Sequence, residues 1–402
     1  MVVFRGRGDI EQNIVDIETK GGILSESKQS CLVTIFHLLP YTFLITGLID
    51  IVSNPFSIFS ILAPLFNLIC VRVWFICVCN LFDDKHKPCN NITSNMRKIL
   101  VTGGNTEIGL AIVKKLLRDS PDTFVLLGSP DISQGHAALE DVIGDLTSSI
   151  KSRIELIQLD VCSDKSLTAS LETVKSKHGQ LYGVINNAGG VFEVARRTVD
   201  LNIYGIVKVT EAFIPIVKSP GGRVVQISSA AGPNWVSKCS REIQDLLVNK
   251  DVTFSEIDER GLKPYLKIKE DTNISEDKKH KDLQEIGLND SWFAGAGYGV
   301  SKACLNAYTT ELARRFPGIL INSCTPGVIE TVENSGKRPA VIGLKSPEDE
   351  EGTKAAVYLM MGDLEADIPG YESGRYYGSD AVRSPLHRYR GPGEPAYEGE
   401  YP

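Results

Sequence analysis

Tyr298-Gly299-Val300-Ser301-Lys302 places a phenol and an ammonium four positions apart, 69 positions after Ser229. On a helix, residues i and i+4 share a face. The cation then sits beside the phenol and favours phenolate by charge proximity. An ordinary tyrosine titrates near about 10, too high for acid or base work at neutral pH, so a neighbouring cation is the expected way to tune it. A lone Tyr-x-x-x-Lys is a frequent chance match, and its weight comes from what stands around it in order.

Upstream, residues 98–113 read KILVTGGNTEIGLAIV, a short apolar strand, a Gly-rich turn, then a helix with Ile108, Ala111, Ile112 and Leu116 on one side. A turn at a helix N-terminus offers backbone N–H groups and a positive dipole end to a phosphate. Asp160-Val161, Asn186-Asn187-Ala188-Gly189, Asn202, the strand Val224–Ser229, and Pro326-Gly327 with Thr331 follow in that order. With these motifs the chain resembles the short-chain dehydrogenase/reductase family, and more narrowly its monomeric carbonyl reductases, over about residues 96–402.

The resemblance implies a Rossmann-like site in which Tyr298 gives a proton to a substrate carbonyl. Lys302 lowers the phenol's pKa and bonds the nicotinamide ribose, Ser229 holds the carbonyl oxygen, and Asn202 supports a water that relays protons to Lys302. It implies cofactor contacts from Gly103, Asn105, Thr106, Ile108 and Gly109 in the turn, and from Asp160 and Val161 beside the adenine. Asn187, Ala188 and Gly189 form a structural turn next to the cofactor, and Pro326, Gly327 and Thr331 form the carboxamide loop. NADP is the implied cofactor, with NAD not excluded. Each residue has a plainer alternative. Tyr298 would serve as a core tyrosine, Ser228 would take the place of Ser229, and Asn202 would be a mid-helix amide satisfied by a backbone carbonyl.

Three features depart from the family pattern. Glu107 stands where the family has glycine, adding bulk and negative charge where a pyrophosphate approaches the backbone. Thr106 and Pro130 occupy places where relatives put basic residues for a 2′-phosphate, and Asp131 lies a few residues late for an NAD-type acid. Asn187 and Asn202 are only 15 apart. That spacing predicts a shortened peripheral helix and an opened cofactor wall, or reflects a gap in the gene model.

From residue 98 strands and helices alternate, as in a doubly wound parallel α/β sheet. Strands are expected near 98–102, 123–127, 154–159, 181–186, 222–228, 319–324 and 374–377. Helices are expected near 108–118, 132–147, 165–178, 200–218, 297–316 and 350–361. Residues 230–296 interrupt that rhythm and read as a partly helical insertion covering the helix surface other members use to dimerise, hence a monomer. Residues 379–402 read as an irregular C-terminal arm, so the reductase domain runs over 96–378.

Before it lie a polar segment at 1–30, an apolar segment at 31–82 long enough for two transmembrane helices, and a linker at 83–95. Lys85, Lys87, Arg97 and Lys98 would keep the downstream domain cytoplasmic. Alternatively the protein starts at Met96, where a chain of this family normally begins. The 402 residues carry a net charge of −7 and no Lys/Arg cluster suited to nucleic acid. Nine cysteines without framework spacing fit a reducing compartment, and six dispersed histidines suggest no metal site. Two functions remain open, a reductase for a small carbonyl substrate (ketone, aldehyde or quinone) or a non-catalytic binding or scaffold protein on the same fold.

Overall fold

A computed structural model describes residues 96–145, 148–289, 297–327, 350–367 and 371–400. The chain divides into two units, Met1–Pro88 and Cys89–Pro402, and the described residues belong to the second. The apolar segment at 31–82 and Thr331 lie outside the described residues. Among the described residues no helix is long and apolar enough to cross a membrane.

An eight-stranded sheet runs in the order β3-β2-β1-β4-β5-β6-β7-β8. Its strands are β1 (Arg97–Thr102), β2 (Thr123–Ser129), β3 (Ile154–Gln158), β4 (Gly183–Asn186), β5 (Gly222–Ile227), β6 (Ile319–Cys324), β7 (Tyr376–Tyr377) and β8 (Arg383–Ser384). All pairings are parallel except that of β7 with β8. The central strands are buried on both faces, which is why β2 reads TFVLLGS without polar alternation. β8 was not expected, because two residues leave no periodicity to read.

Helices cover both faces. On one side, α1 (Glu107–Asp119), α2 (Ile132–Asp145) and α12 (Glu350–Met361) pack on Val101, Leu127, Ile185 and Val225. On the other lie α3 (Asp164–Lys177), α4 (Ala195–Val199), α5 (Ile206–Phe213) and α11 (Tyr298–Arg315), against Leu126, Val184, Val224 and Ile321. Ile112, Leu116, Leu126 and Val209 are fully buried. Each such side chain stabilises the fold by about 1.5–3 kcal/mol.

The helix expected near 200–218 is broken up. It begins at Ala195, passes through a π-turn at Asp200–Gly205, and ends at Phe213 before a short 3-10 turn containing Pro215. Proline has no N–H to continue the ladder.

Between β5 and α11 the chain forms α6 (Ala231–Val236), α7 (Arg241–Leu247), α8 (Phe254–Ile257), α9 (Lys263–Lys269) and α10 (Glu276–Glu285). This stretch lies across α11 and the π-turn before α5. The Phe254 ring meets Tyr308 edge-on at 5.4 Å and Tyr204 at 6.3 Å. Phe254 N–H donates to the Glu311 carboxylate at 2.6 Å, Tyr204 OH donates to Asp258 at 2.5 Å, and Arg314 donates to Val252 O at 3.0 Å. The C-terminal arm is pinned by the buried Arg390 guanidinium, whose Nη2 donates to Asp380 Oδ2 at 2.7 Å.

Candidate active site

The site lies at the carboxyl ends of the strands, where the order turns from β1 toward both β2 and β4. Such a switch point opens a crevice for ligand in α/β sheets. β5 delivers Ser228 and Ser229 to this edge, and α11 begins there at Tyr298.

Two glycines let the partners close. A Cβ on Gly299 would lie 2.8 Å from the Trp235 ring, and one on Gly232 would lie 3.0 Å from the backbone of Lys302 and Ala303. α6 therefore lies directly on the first turns of α11, and Ser229 stands just before α6 in the chain. The amide of Gly297, in left-handed conformation with φ 78, donates to Tyr265 OH at 3.0 Å. Tyr265 comes from the insertion and is buried, so the insertion fixes where α11 starts.

Lys302 is 4 % exposed, and its Nζ donates to Ile227 O at 2.8 Å. The Nζ lies 5.7 Å from the centre of the Tyr298 ring, so the expected i, i+4 pairing is present. Burial lowers the ammonium to about 8, since a low-dielectric setting disfavours charge. Tyr298 and Ser229 are half-buried. The two serines differ. Ser228 is buried and its Oγ donates to Lys302 O at 3.3 Å, whereas Ser229 is partly open and its Oγ accepts from Ala231 N at 3.2 Å.

Asn202 is fully buried inside the π-turn, a helix irregularity that recurs at functional sites. Its Oδ1 accepts from Gly190 N at 2.8 Å, and its Nδ2 donates to Gly190 O at 2.9 Å and to Ser301 Oγ at 3.3 Å. The amide is thus satisfied by backbone, and it pins the segment after Gly189. This corrects the expectation of an opened wall. The short spacing is closed by the Asn202 clamp and by Thr198 Oγ1, which accepts from Phe192 N at 3.2 Å. A Cβ on Gly189 would sit 3.1 Å from Asn202 Oδ1 and 3.4 Å from Lys302 Nζ, so this wall lies directly against the lysine.

On the cofactor side, Thr102 Oγ1 accepts from Asn187 N at 3.1 Å and Ala188 N at 3.0 Å, and Asn187 Nδ2 donates to Gly103 O at 3.1 Å. The turn after β1 is thereby locked to the end of β4. A Cβ on Gly109 would lie 2.2 Å from Gly103 O, so glycine is required there. Ile108 packs at the edge of the core beneath the turn. Asp160 Oδ1 accepts from Cys162 N at 2.9 Å, and Val161 is buried beside Gly205. Gly327 N donates to Thr325 Oγ1 at 3.1 Å, which tightens the turn after Pro326.

Glu107 fits this cradle poorly. It has φ 39, one of two non-glycine residues among the described residues with positive φ. A side chain there costs on the order of 1–3 kcal/mol. The backbone there has the left-handed shape that suits glycine. Its carboxylate also stands in the first turn of α1, where a pyrophosphate would use the helix N-terminus. The frame of a dinucleotide site is therefore present, with one strained acidic residue set into it. No group of His, Cys, Asp or Glu able to hold a metal ion occurs among the described residues.

Tyr265 and Tyr376 escaped the sequence reading. Tyr376 is buried with Val248 of the insertion and Leu386 of the arm, on the strand paired with Ser323 and Cys324 of β6. Neither has a motif around it, and only its packing reveals it.

The family model for short chain dehydrogenases matches residues 97–240. Carbonyl reductase [NADPH] 1 of Sus scrofa is 31% identical over 289 residues, covering 69% of this chain and 91% of that protein. The chain belongs to the short-chain dehydrogenase family. It is an NAD(P)-dependent oxidoreductase by that membership and resembles the carbonyl reductases. Human carbonyl reductase [NADPH] 1 is also 31% identical, over 294 residues. Salutaridine reductase of Papaver bracteatum is 28% identical over 293 residues, 62% of this chain and 88% of that one. The solved structure of salutaridine reductase from Papaver somniferum superposes with a TM-score of 0.55 at 26% identity, over 70% of this chain and 99% of that one.

Proposed function

We propose that this protein reduces the carbonyl of a small ketone, aldehyde or quinone to an alcohol with a reduced nicotinamide dinucleotide. The observation that carries the reading is the buried Lys302 ammonium beside the Tyr298 ring, bonded to Ile227 O two residues before the half-buried Ser229. When bound, the dinucleotide supplies the hydride. The names of the relatives bring NADPH forward as the first donor to test. Gly103, Asn105, Thr106, Ile108 and Gly109 would hold its phosphates and ribose. Asp160 and Val161 would flank the adenine, and Asn187, Ala188, Gly189, Pro326, Gly327 and Thr331 would line the nicotinamide half.

Ser229 Oγ donates to the carbonyl oxygen as negative charge grows there. Tyr298 OH gives that oxygen its proton, and the Lys302 ammonium stabilises the phenolate left behind. Lys302 would also hold the ribose hydroxyls, while Asn202 holds the wall against it and any relay water would be met through its backbone. The insertion lies over α11 and the π-turn before α5, which supports a monomer. The free thiols of Cys162, Cys239, Cys304 and Cys324 suit a cytoplasmic setting for this domain. Fractionating cells with an antibody against the C-terminal arm decides whether 31–82 anchors it.

The test is dinucleotide oxidation against a panel of ketones, aldehydes and quinones, with Tyr298→Phe alongside. Turnover by the native chain and a loss of about 10²–10⁴-fold in the variant are expected. Full activity in Tyr298→Phe would falsify the mechanism. A second reading rests on Glu107 alone, that of a non-catalytic binding or scaffold protein whose cofactor site has been blocked. Any tyrosine-dependent turnover by the native chain removes it.

A further inference from the structure

Under α11 a row of polar side chains is sealed into an otherwise apolar core. In the parallel register Asn186 of β4 pairs with Gln226 of β5, and Gln226 pairs with Ser323 of β6. Residues two apart on a strand share a face of the sheet. Val184, Val224 and Ile321, each two positions earlier, lie in the core cluster that contains α11, so the polar row points to that side as well.

The helix sets Asn306 over this row. Lys302, one turn before it, bonds Ile227 O, and Ile227 pairs with Cys324. Thr310, one turn after it, donates to Gly374 O at 3.2 Å, and Gly374 N donates to Ile321 O at 2.7 Å. Residues four apart share a helix face. Asn306 therefore falls between these two levels, at the level of Gln226 and Ser323.

Asn186, Gln226, Asn306 and Ser323 are all buried, none more than 2 % exposed. Thr210 of α5 answers part of the row, accepting from Asn186 Nδ2 at 2.8 Å and from Gln226 Nε2 at 3.4 Å while donating to Ile206 O at 2.7 Å. Asn186 Oδ1, Gln226 Oε1, Ser323 Oγ and both Oδ1 and Nδ2 of Asn306 have no hydrogen-bond partner among the described residues. Buried polar atoms are seldom left so. Here three strands and one helix bring such atoms to one place. The amide oxygens accept, Asn306 Nδ2 donates, and the serine hydroxyl does either. None of these side chains is charged, so the matching ligand is a small neutral one. Water, with two donors and two acceptors, is what proteins hold among such groups.

We infer that Asn186, Gln226, Asn306 and Ser323 form an internal water site that seats α11 on β5 and β6, with Asn306 as a positioning residue for Lys302. The water site stands without the reductase reading, and only its effect on turnover rests on that reading.

A crystal structure of the full chain at a resolution that shows ordered water tests the site directly. Water bonded to Asn306 and Gln226 is expected, and a dry contact between these side chains overturns the inference. Melting temperatures of Asn306→Leu and Asn306→Ser give a second test. Leucine fills the space and cannot bond water, whereas serine leaves room and keeps a hydroxyl. With water in place, Asn306→Leu melts a few degrees below the native chain and Asn306→Ser lies between them. In a dry seam the order reverses, because leucine removes two unpaired atoms and serine opens a cavity, and that order overturns the inference. Below the melting range, Asn306→Leu should lower kcat at an unchanged KM, with Asn306→Ser restoring most of it. A native kcat in Asn306→Leu removes the positioning role. A native chain that turns over no carbonyl substrate removes the reductase reading instead, and the crystallographic and melting tests still decide the water site.

Discussion

The end of the crevice that would do chemistry and the end that would hold the cofactor's phosphates are built to different standards. At the chemical end each key group is placed by independent ties. Lys302 is buried and bonded to Ile227 O, Asn202 makes three hydrogen bonds, and the α11 start is set by Tyr265. At the phosphate end the frame is equally well tied through Thr102, Asn187 and Gly109, yet it contains a left-handed glutamate. The contrast teaches that neighbouring ties can hold a backbone shape that the residue itself disfavours. The turn keeps a glycine's geometry at Glu107 because its neighbours over-determine it.

The comparison is broken most severely at Tyr298. Tyr298→Phe should cut turnover by about 10²–10⁴-fold, the usual worth of a positioned proton donor, while dinucleotide binding by calorimetry persists. Loss of binding as well would mean the two ends are not separable. Next comes Glu107→Gly. Relief of backbone strain should raise the melting temperature of the apo protein by a few degrees, and loss of charge should tighten dinucleotide binding by about tenfold. Glu107→Gln separates the causes, because it keeps the strain and removes the charge. It should tighten binding without the rise in melting temperature that glycine brings.

Lys302 gives a smaller and pH-dependent effect. Its folded value of about 8 lies below its ordinary 10.5. Between these values the unfolded chain binds more protons than the folded one, so stability rises as pH climbs from about 8 to about 10.5. The buried ammonium costs at most about 3 kcal/mol below that window. Lys302→Met should therefore raise the apo melting temperature at pH 7 and flatten its rise in the alkaline range, while abolishing turnover. An unchanged pH–stability curve would show that Lys302 is better solvated than its burial implies. For the native enzyme, reduction should slow as pH passes about 8, because the charge that supports the phenolate is lost there.

The smallest effect is expected at Tyr265→Phe. It leaves the Gly297 amide without its partner, at a cost of about 1–3 kcal/mol. A lower melting temperature with a lower kcat and an unchanged KM would show that the insertion positions the catalytic helix. A change in KM alone would assign the insertion to substrate contact instead.

Much of this was legible in the linear chain. The Tyr298–Lys302 spacing fixed a shared helix face, since 3.6 residues per turn leaves no other outcome. The apolar runs marked seven strands, and a parallel alternation of strand and helix admits few topologies. The foreign character of Glu107 was also visible, because the glycines around it define what the turn requires. Other features needed the third dimension. The choice of Ser229 over Ser228 depends on which hydroxyl turns into the protein. The Asn202 clamp depends on Gly190, 12 positions away, and on Ser301, 99 positions away. Tyr265 and Tyr376 carry no motif. Short-range patterns follow from backbone periodicity and sterics, so the sequence alone determines them. Hydrogen-bond partners and burial depend on which distant segments the core brings together, and only the tertiary structure decides those.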